Sequence, residues 1–191
     1  MDTHDCTIED IPENERPVKG MEKCLRCDGS YISFDNVYIY KDKDFSIDFW
    51  FKSSDSNYGR VIDFGYDKEG RGEIFHFPTN NSYYQNLEYV DTGWGFSSDW
   101  HGKWTHFVYQ YLHTVQMSLV FLNGLVKINT NKPYDTISVP YAYLGKSQHA
   151  ADPNINALYS GIRLQYGLVY NNLDARSLKY FNTTMTNLKT S

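Results

Sequence analysis

The sequence has few cysteines, only Cys6, Cys24 and Cys27 in 191 residues. This odd number excludes a closed disulfide framework and leaves at least one thiol free or paired with another chain. The Cys24-x-x-Cys27 spacing lacks the second ligand pair that a structural zinc site needs, unless Cys6 and His4 complete it. Two interpretations stay open for Cys24. It is either free or bonded to Cys6 in a disulfide that joins the N-terminus to the domain.

Long hydrophobic runs are also missing. No stretch of about 18 apolar residues occurs, so the sequence predicts no transmembrane segment. The N-terminus, MDTHDCTIED, is too acidic and polar for a signal peptide. Two glycosylation sequons, at Asn80 and Asn182, have meaning only in the secretory pathway and favour a secreted or cell-surface protein.

The sequence also lacks a cluster of basic residues. The formal net charge is −5, and the 23 acidic residues are dispersed along the chain. Nucleic-acid binding needs Lys and Arg side chains grouped against the phosphates. The composition therefore argues against a nucleic-acid partner.

Aromatic residues, by contrast, make up 17% of the chain and include 17 tyrosines. Aromatic side chains suit the pleated, half-buried surface of a β-sheet, so this composition favours strands. The length suits one all-β domain. Residues 1–20 contain Pro12, Pro17, several charges and almost no apolar period. They are predicted to form an extended or poorly ordered N-terminal arm before a domain over residues 21–191.

Two segments carry the clearest strand patterns. In residues 45–52 a phenylalanine-rich face alternates with a polar face that holds Asp48 and Trp50. Residues 103–128 contain two alternating runs and then Asn123-Gly124, which predicts a hairpin with a type I′ turn. Further strands are predicted at residues 60–65, 73–77, 141–146 and 161–170. Residues 78–100 are predicted to form a long irregular loop, and residues 172–181 a short C-terminal helix.

Four motifs follow one another in a recognisable order. They are Asp48-Phe49-Trp50, Trp104-Thr105-His106, Phe121-Leu122-Asn123-Gly124 and the run from Gly161-Ile162 to Tyr170. This order resembles the laminin-G-like, concanavalin A-like jelly-roll family over residues 25–181. Phe121 and Arg163 depart from the family pattern, which often has tyrosine and an acidic residue there. The resemblance implies an antiparallel β-sandwich whose relatives include lectins, adhesion modules and glycosidases.

Catalysis is not expected. Glycosidases of this fold, as the resemblance implies, carry a Glu-x-Asp-x-x-Glu strand whose alternate carboxylates flank the sugar bond. The sequence has no such strand, and neither Glu73 nor Glu88 has a second carboxylate at alternate spacing. We therefore predict that the protein is not an enzyme.

Calcium is the one candidate cofactor. The resemblance implies calcium in some members, and Asp152, Asn154 and Asn156 offer alternating oxygen ligands of the kind that calcium prefers. The same residue types are common turn formers. Both interpretations stay open.

The polar face of the 45–52 strand is the candidate ligand surface. Asp48 and Trp50 point away from the predicted core, and the resemblance places Arg163 and Gln165 of the closing strand near them. We expect an Asp48–Arg163 ion pair within about 4 Å, either as a polar floor beneath a ligand or as a covered charge pair. Four loop aromatics either form the walls of that site or bury themselves in a small core: Tyr83, Tyr84, Trp94 and Trp100.

Together these features predict a non-catalytic, lectin-like or adhesion-type recognition module that binds a carbohydrate or a protein. The alternative is a structural or assembly domain that packs against a neighbouring chain, as part of a larger protein or assembly. A glycoside hydrolase is the third class.

Overall fold

A computed structural model describes residues 1–40, 42–53, 59–66, 73–78, 82–85, 92–95, 100–131, 137–148 and 151–166. At residues 73–78, 82–85, 92–95, 127–131 and 137 it describes the backbone alone. Within these residues the chain forms fifteen β-strands and short 3-10 turns at Glu13–Glu15 and His113–Val115. The predicted helix at residues 172–181 and both sequons, at Asn80 and Asn182, lie outside the described residues.

The strands form two antiparallel sheets and one separate pair. The first sheet has seven strands in the order β1 (Thr7–Asp10), β2 (Lys23–Asp28), β15 (Asn156–Tyr166), β5 (Phe45–Ser53), β10 (Thr105–Leu112), β11 (Met117–Leu122) and β12 (Leu125–Asn131). The second sheet has six strands in the order β3 (Ile32–Ser33), β14 (Tyr141–Leu144), β6 (Arg60–Gly65), β7 (Glu73–Pro78), β8 (Ser82–Gln85) and β9 (Thr92–Gly95). The separate pair joins β13 (Ile137–Val139) to β4 (Val37–Ile39).

The core lies between the two sheets, as the alternation in residues 45–52 predicts. Phe45, Ile47, Phe49 and Phe51 of β5 all face this core and are fully buried. The Phe49 ring stacks on its cross-strand neighbour Phe107, with centroids 5.0 Å apart. Burying apolar surface in this way drives folding, so the predicted antiparallel β-sandwich is confirmed.

The hairpin after β11 is also confirmed. Asn123 and Gly124 have φ values of 52° and 79°, as a type I′ turn requires at its two central positions. The side chain of Asn123 accepts a hydrogen bond from the backbone N–H of His106, with Oδ1 2.9 Å from that nitrogen. The turn is therefore tied to the neighbouring strand β10 as well as to its own hairpin.

The prediction of an irregular loop over residues 78–100 is wrong. Strands β8 and β9 lie within it and extend the second sheet beyond β7. Tyr83 and Trp94 are partners in the β8–β9 register. Both strands are four residues long, and two of the four residues of β9 are glycines, so their period is too short to stand out in the sequence.

A close approach of two chain segments occurs at Gly59, which is buried beside β6. A methyl group added there would overlap Ile155 Cγ2 and lie 3.0 Å from the backbone oxygen of Pro153. We expect Gly59→Ala to lower the free energy of unfolding by about 1–3 kcal/mol, because overpacking forces neighbouring groups to move. Urea unfolding followed by tryptophan fluorescence measures this loss.

The control for this prediction is the same substitution in an Ile155→Ala background. Removing the Ile155 side chain opens the space that the new methyl group needs, so Gly59→Ala should then cost much less. An equal cost in both backgrounds would contradict the steric explanation.

Candidate functional site

Asp48 and Trp50 lie on the outer face of the first sheet, the face turned away from the second sheet. Asp48 is only 2% exposed, and its Oδ1 lies 3.8 Å from Nε2 of the buried His106. The His106 ring stacks on Trp50 with centroids 4.8 Å apart. Asp48 is therefore too deeply buried in this structure to contact a soluble ligand directly.

The prediction of an Asp48–Arg163 ion pair is wrong. The two residues are direct partners in the β5–β15 register, and Gln165 lies opposite Ser46 two positions along. Within 4.0 Å, however, the Asp48 carboxylate lies beside the His106 ring, and the described residues show no ion pair between Asp48 and Arg163. β15 has a register shift between Ser160 and Arg163, and such bulges redirect the side chains beside them.

Of the four aromatic residues predicted as walls of the site, only Trp100 has a described side chain. Trp100 is 4% exposed and packs against Phe51 in the main core, with ring centroids 5.4 Å apart. It is therefore a core residue and not a surface wall. Tyr83, Tyr84 and Trp94 lie on β8 and β9, and their side chains fall outside the described residues.

The candidate calcium ligands have other partners. Asp152 Oδ2 lies 3.2 Å from Nη2 of Arg60, and Asn154 Nδ2 donates a hydrogen bond to the Gly29 carbonyl oxygen at 2.7 Å. Asn156 is the first residue of β15. Within the described part of the chain, no group of three or more His, Cys, Asp or Glu side chains is placed to hold a metal ion. The guanidinium beside Asp152 works against a cation at that carboxylate.

Of the two interpretations left open for Cys24, the disulfide with Cys6 is wrong, because Cys6 is bonded to Cys27. Cys24 is a free, buried thiol. β1 pairs with β2 in a register that places Thr7 opposite Arg26, and continuing that register by one residue sets Cys6 against Cys27. Cys24 is three residues from Cys27 along the strand and so points to the opposite face of the sheet.

The N-terminal arm covers one end of the outer face. Ile11 of the arm and Met21, directly after it, are buried with Cys24, and Trp50, Trp104 and Leu158 pack against this small cluster. Burial raises the pKa of the Cys24 thiol, which keeps it protonated and argues against a nucleophilic role. The arm is thus held to the sheet by strand pairing, by the disulfide and by apolar contacts.

A groove of about 430 Å³ lies between this arm and strands β2, β5 and β15. Its apolar lining includes Ile11, Leu158 and Trp104. Its charged lining consists of the carboxylates Glu9, Asp10, Glu15 and Asp28 with the cations Arg26 and Lys52. A volume of this size is in the usual range for small-molecule sites. The groove is the candidate binding site.

Ion pairs arrange the charges of the groove. Arg26 Nε lies 2.7 Å from Glu9 Oε1, and Arg26 Nη1 lies 3.7 Å from Asp28 Oδ1. Lys52 Nζ lies 2.7 Å from Glu15 Oε2. The hydrogen bond with Glu9 raises the pKa of Arg26. Each cation therefore joins a sheet strand to an acidic residue of the arm.

A fourth carboxylate of the groove pairs with a cation outside its lining. Asp10 Oδ1 accepts a hydrogen bond from Lys23 Nζ at 2.8 Å, and this bond lowers the pKa of Asp10. Both residues are exposed at the surface.

Sequence reasoning found one strand of this site and missed the arm. The alternation of β5 places Lys52 on the same face as Asp48 and Trp50, and Lys52 lines the groove. Glu9 and Glu15 look like dispersed surface acids in the sequence, because the arm has no apolar period that would reveal which surface it covers. Two of the predicted site residues belong to the groove lining: Asn156, predicted as a metal ligand, and Cys24, considered as a disulfide partner.

Comparisons with known proteins support the fold. No protein-family model matches the sequence, and no curated protein matches it either. The carbohydrate-binding module CBM66 from Bacillus subtilis is 13% identical with a TM-score of 0.50, over 86% of this chain and 94% of that one. The binding domain of botulinum neurotoxin serotype D is 13% identical with a TM-score of 0.53, over 97% of this chain and 47% of that one. A Trypanosoma rangeli sialidase in complex with sialic acid is 13% identical with a TM-score of 0.51, over 77% and 23%.

These likenesses establish an antiparallel β-sandwich of the broad jelly-roll type. The chain spans about half of the neurotoxin domain and about a quarter of the sialidase. Membership of the laminin-G-like, concanavalin A-like family stays a prediction. In the described residues, no helix has the length and apolar character to cross a membrane.

Proposed function

We propose that this protein is a non-catalytic recognition module that binds a glycan in the groove between its N-terminal arm and the first sheet. The observation that carries the proposal is the combination of an indole with paired cations and carboxylates in one concave site. Trp104, Arg26 and Glu9 all line the groove. Sugars offer an apolar C–H face to an aromatic ring and hydroxyl groups to polar neighbours, so they suit such a lining.

The similar structures agree with this proposal without deciding it. The Bacillus subtilis protein is a carbohydrate-binding module, and the sialidase structure contains sialic acid. One fold hosts many functions, so a similar fold alone does not identify the ligand. The proposal of glycan binding therefore rests on the residues that line the groove.

The carboxylates of the groove support a binding role over catalysis. A glycosidase needs one carboxyl group that can donate a proton and a second that acts as nucleophile or base. Glu9, Glu15 and Asp10 each lie within 2.8 Å of a cationic nitrogen. For Asp10 the pKa is lowered by the Lys23 hydrogen bond, whereas a general acid needs a raised pKa.

The disulfide supports a secreted or cell-surface location. Bonds such as Cys6–Cys27 persist in oxidising compartments and are rare where glutathione keeps thiols reduced.

Removing the guanidinium of the groove tests the proposal. We expect Arg26→Ala to weaken glycan binding by about tenfold or more, because a charged hydrogen-bond donor contributes about 1.5–3 kcal/mol. A glycan array identifies the best-bound oligosaccharide, and titration calorimetry with that compound then measures the dissociation constant for both proteins.

The matched control is Lys43→Ala, which removes one cation outside the groove lining. Lys43 lies over the Tyr40 ring, 4.7 Å from its centroid. This variant should bind the same oligosaccharide with the dissociation constant of the parent protein, with and without calcium in the buffer. Equal losses in the two variants would point to net charge instead of a site, and silence of the parent across the array would refute the proposal.

The second candidate function is an assembly domain, and one observation favours it. Leu125 and Val126 are 64% and 53% exposed on β12, which is an edge strand of the first sheet. Exposed apolar residues at a sheet edge can pair with another chain. Sedimentation of the parent protein alone would detect self-association, and a silent glycan array with a dimer in solution would favour this function.

A further inference from the structure

The groove carries more negative than positive charge. Four carboxylates line it against two cations, Arg26 and Lys52, so the formal charge of the lining at neutral pH is −2, or −1 when Lys23, the partner of Asp10, is included. The site is also partly enclosed by the arm, and its apolar wall includes Trp104 and Leu158. Low-dielectric walls strengthen the effect of fixed charges on a ligand.

Both cations of the groove already have partners. Arg26 contacts Glu9 through Nε and Asp28 through Nη1, at 2.7 and 3.7 Å. Lys52 contacts Glu15 at 2.7 Å. An anionic ligand would have to displace one of these carboxylates and would still lie beside the others. The repulsion between like charges disfavours that exchange.

A ligand with only uncharged hydroxyl groups need not displace a carboxylate from Arg26 or Lys52. Each hydroxyl donates one hydrogen bond and accepts others, while a paired guanidinium and carboxylate offer a donor and an acceptor side by side. Arg26 has five N–H donors, and its contacts with Glu9 and Asp28 engage two of its three nitrogens. Neighbouring hydroxyls on one sugar ring can therefore bridge such a pair without breaking it.

We infer that the groove selects uncharged glycans and discriminates against those that carry carboxylate or sulfate groups. This inference rests on the proposed function and adds the ligand class. The discriminating residues are the acids of the arm, Glu9 and Glu15, because they occupy the two cations that an anion would need. The arm therefore determines which glycans the sheet face accepts.

Matched glycans test the selectivity. The probes are an array of neutral oligosaccharides and the same oligosaccharides capped with sialic acid or with a sulfate ester. The parent protein should bind members of the neutral set and bind their anionic counterparts at least about tenfold more weakly, through charge repulsion in a concave site. Equal or tighter binding of the anionic set would overturn the inference and leave the proposed function standing.

The chain offers a matched pair of variants. Glu15→Gln removes the partner of Lys52, whereas Glu13→Gln removes a carboxylate of the same 3-10 turn that does not line the groove. The preference for neutral glycans should shrink by about threefold or more in Glu15→Gln and stay unchanged in Glu13→Gln. Equal shifts in both variants would refute the groove as the origin of the selectivity. Failure of both glycan sets to bind the parent would refute the proposed function itself.

Discussion

Replacing Asp63 with alanine is expected to lower the free energy of unfolding by about 3–5 kcal/mol, the usual range for removing one partner of a buried charged network. Asp63 lies on β6 with its side chain fully buried. Its Oδ2 accepts hydrogen bonds from the backbone N–H of Gln148 at 3.0 Å and from Ser147 Oγ at 3.3 Å, and its Oδ1 accepts one from Gln148 Nε2 at 3.0 Å.

The loss is large because the donors stay behind. Ser147 and Gln148 are themselves buried, so alanine at position 63 leaves their N–H and O–H groups without this acceptor and with little access to water. Arg60 also contacts Asp63, at 3.9 Å, and links it to Asp152. The carboxylate thus holds the segment after β14 against the second sheet.

Urea unfolding of three proteins measures this effect. Asp63→Asn keeps one carbonyl oxygen but turns an amide N–H₂ towards other donors, so it should lose less than the alanine variant while still losing about 1 kcal/mol or more. Asp35→Ala removes an exposed carboxylate and should change stability by less than about 0.5 kcal/mol. If Asp63→Ala were as mild as Asp35→Ala, the hydrogen bonds described for Asp63 would not be stabilising.

The second large effect is expected from the disulfide. Replacing both Cys6 and Cys27 with serine should lower the free energy of unfolding by about 3 kcal/mol, because the bond closes a loop across a sequence separation of 21. The arm that the bond anchors also forms one wall of the groove. The double variant should therefore bind glycans more weakly as well as unfold more easily.

Thiol chemistry provides an independent check on the pairing. Denatured but unreduced protein should expose one alkylatable thiol, and peptide mapping should assign it to Cys24. The single variant Cys24→Ser should keep the disulfide and should lose less stability than the double variant. Alkylation at Cys27, with Cys24 protected, would restore the sequence-based prediction of a Cys6–Cys24 bond.

Local patterns in the sequence predicted much of the first sheet. Side chains alternate with a period of two along any strand, so the run from Phe45 to Lys52 separates a core face from an outer face whatever lies around it. The Asn123-Gly124 turn is equally local, because it depends on two backbone conformations that these residues adopt at little cost. β15 was predicted from residue 161 and begins at Asn156, since polar and small residues weaken its first alternation.

Such local patterns could not predict the contacts between segments that are distant in the sequence. The structure shows that Asp48 contacts His106 and not Arg163, although both are near it in the sheet. The direction of a long side chain depends on the local bulge and on its neighbours across the strand. The burial of Trp100 was equally unpredictable from local pattern, because it depends on contact with Phe51, a residue distant in the sequence.

The sequence by itself determined the class of fold and the face of β5 that carries the polar residues, because both follow from alternation along single strands. Only the tertiary structure decided where the N-terminal arm lies and which cysteine it bonds. The register of β1 on β2 sets Cys6 against Cys27 and brings Glu9 to Arg26. No periodicity within the arm encodes that register, so the groove and the charges that line it arise from contacts between the arm and the sheet.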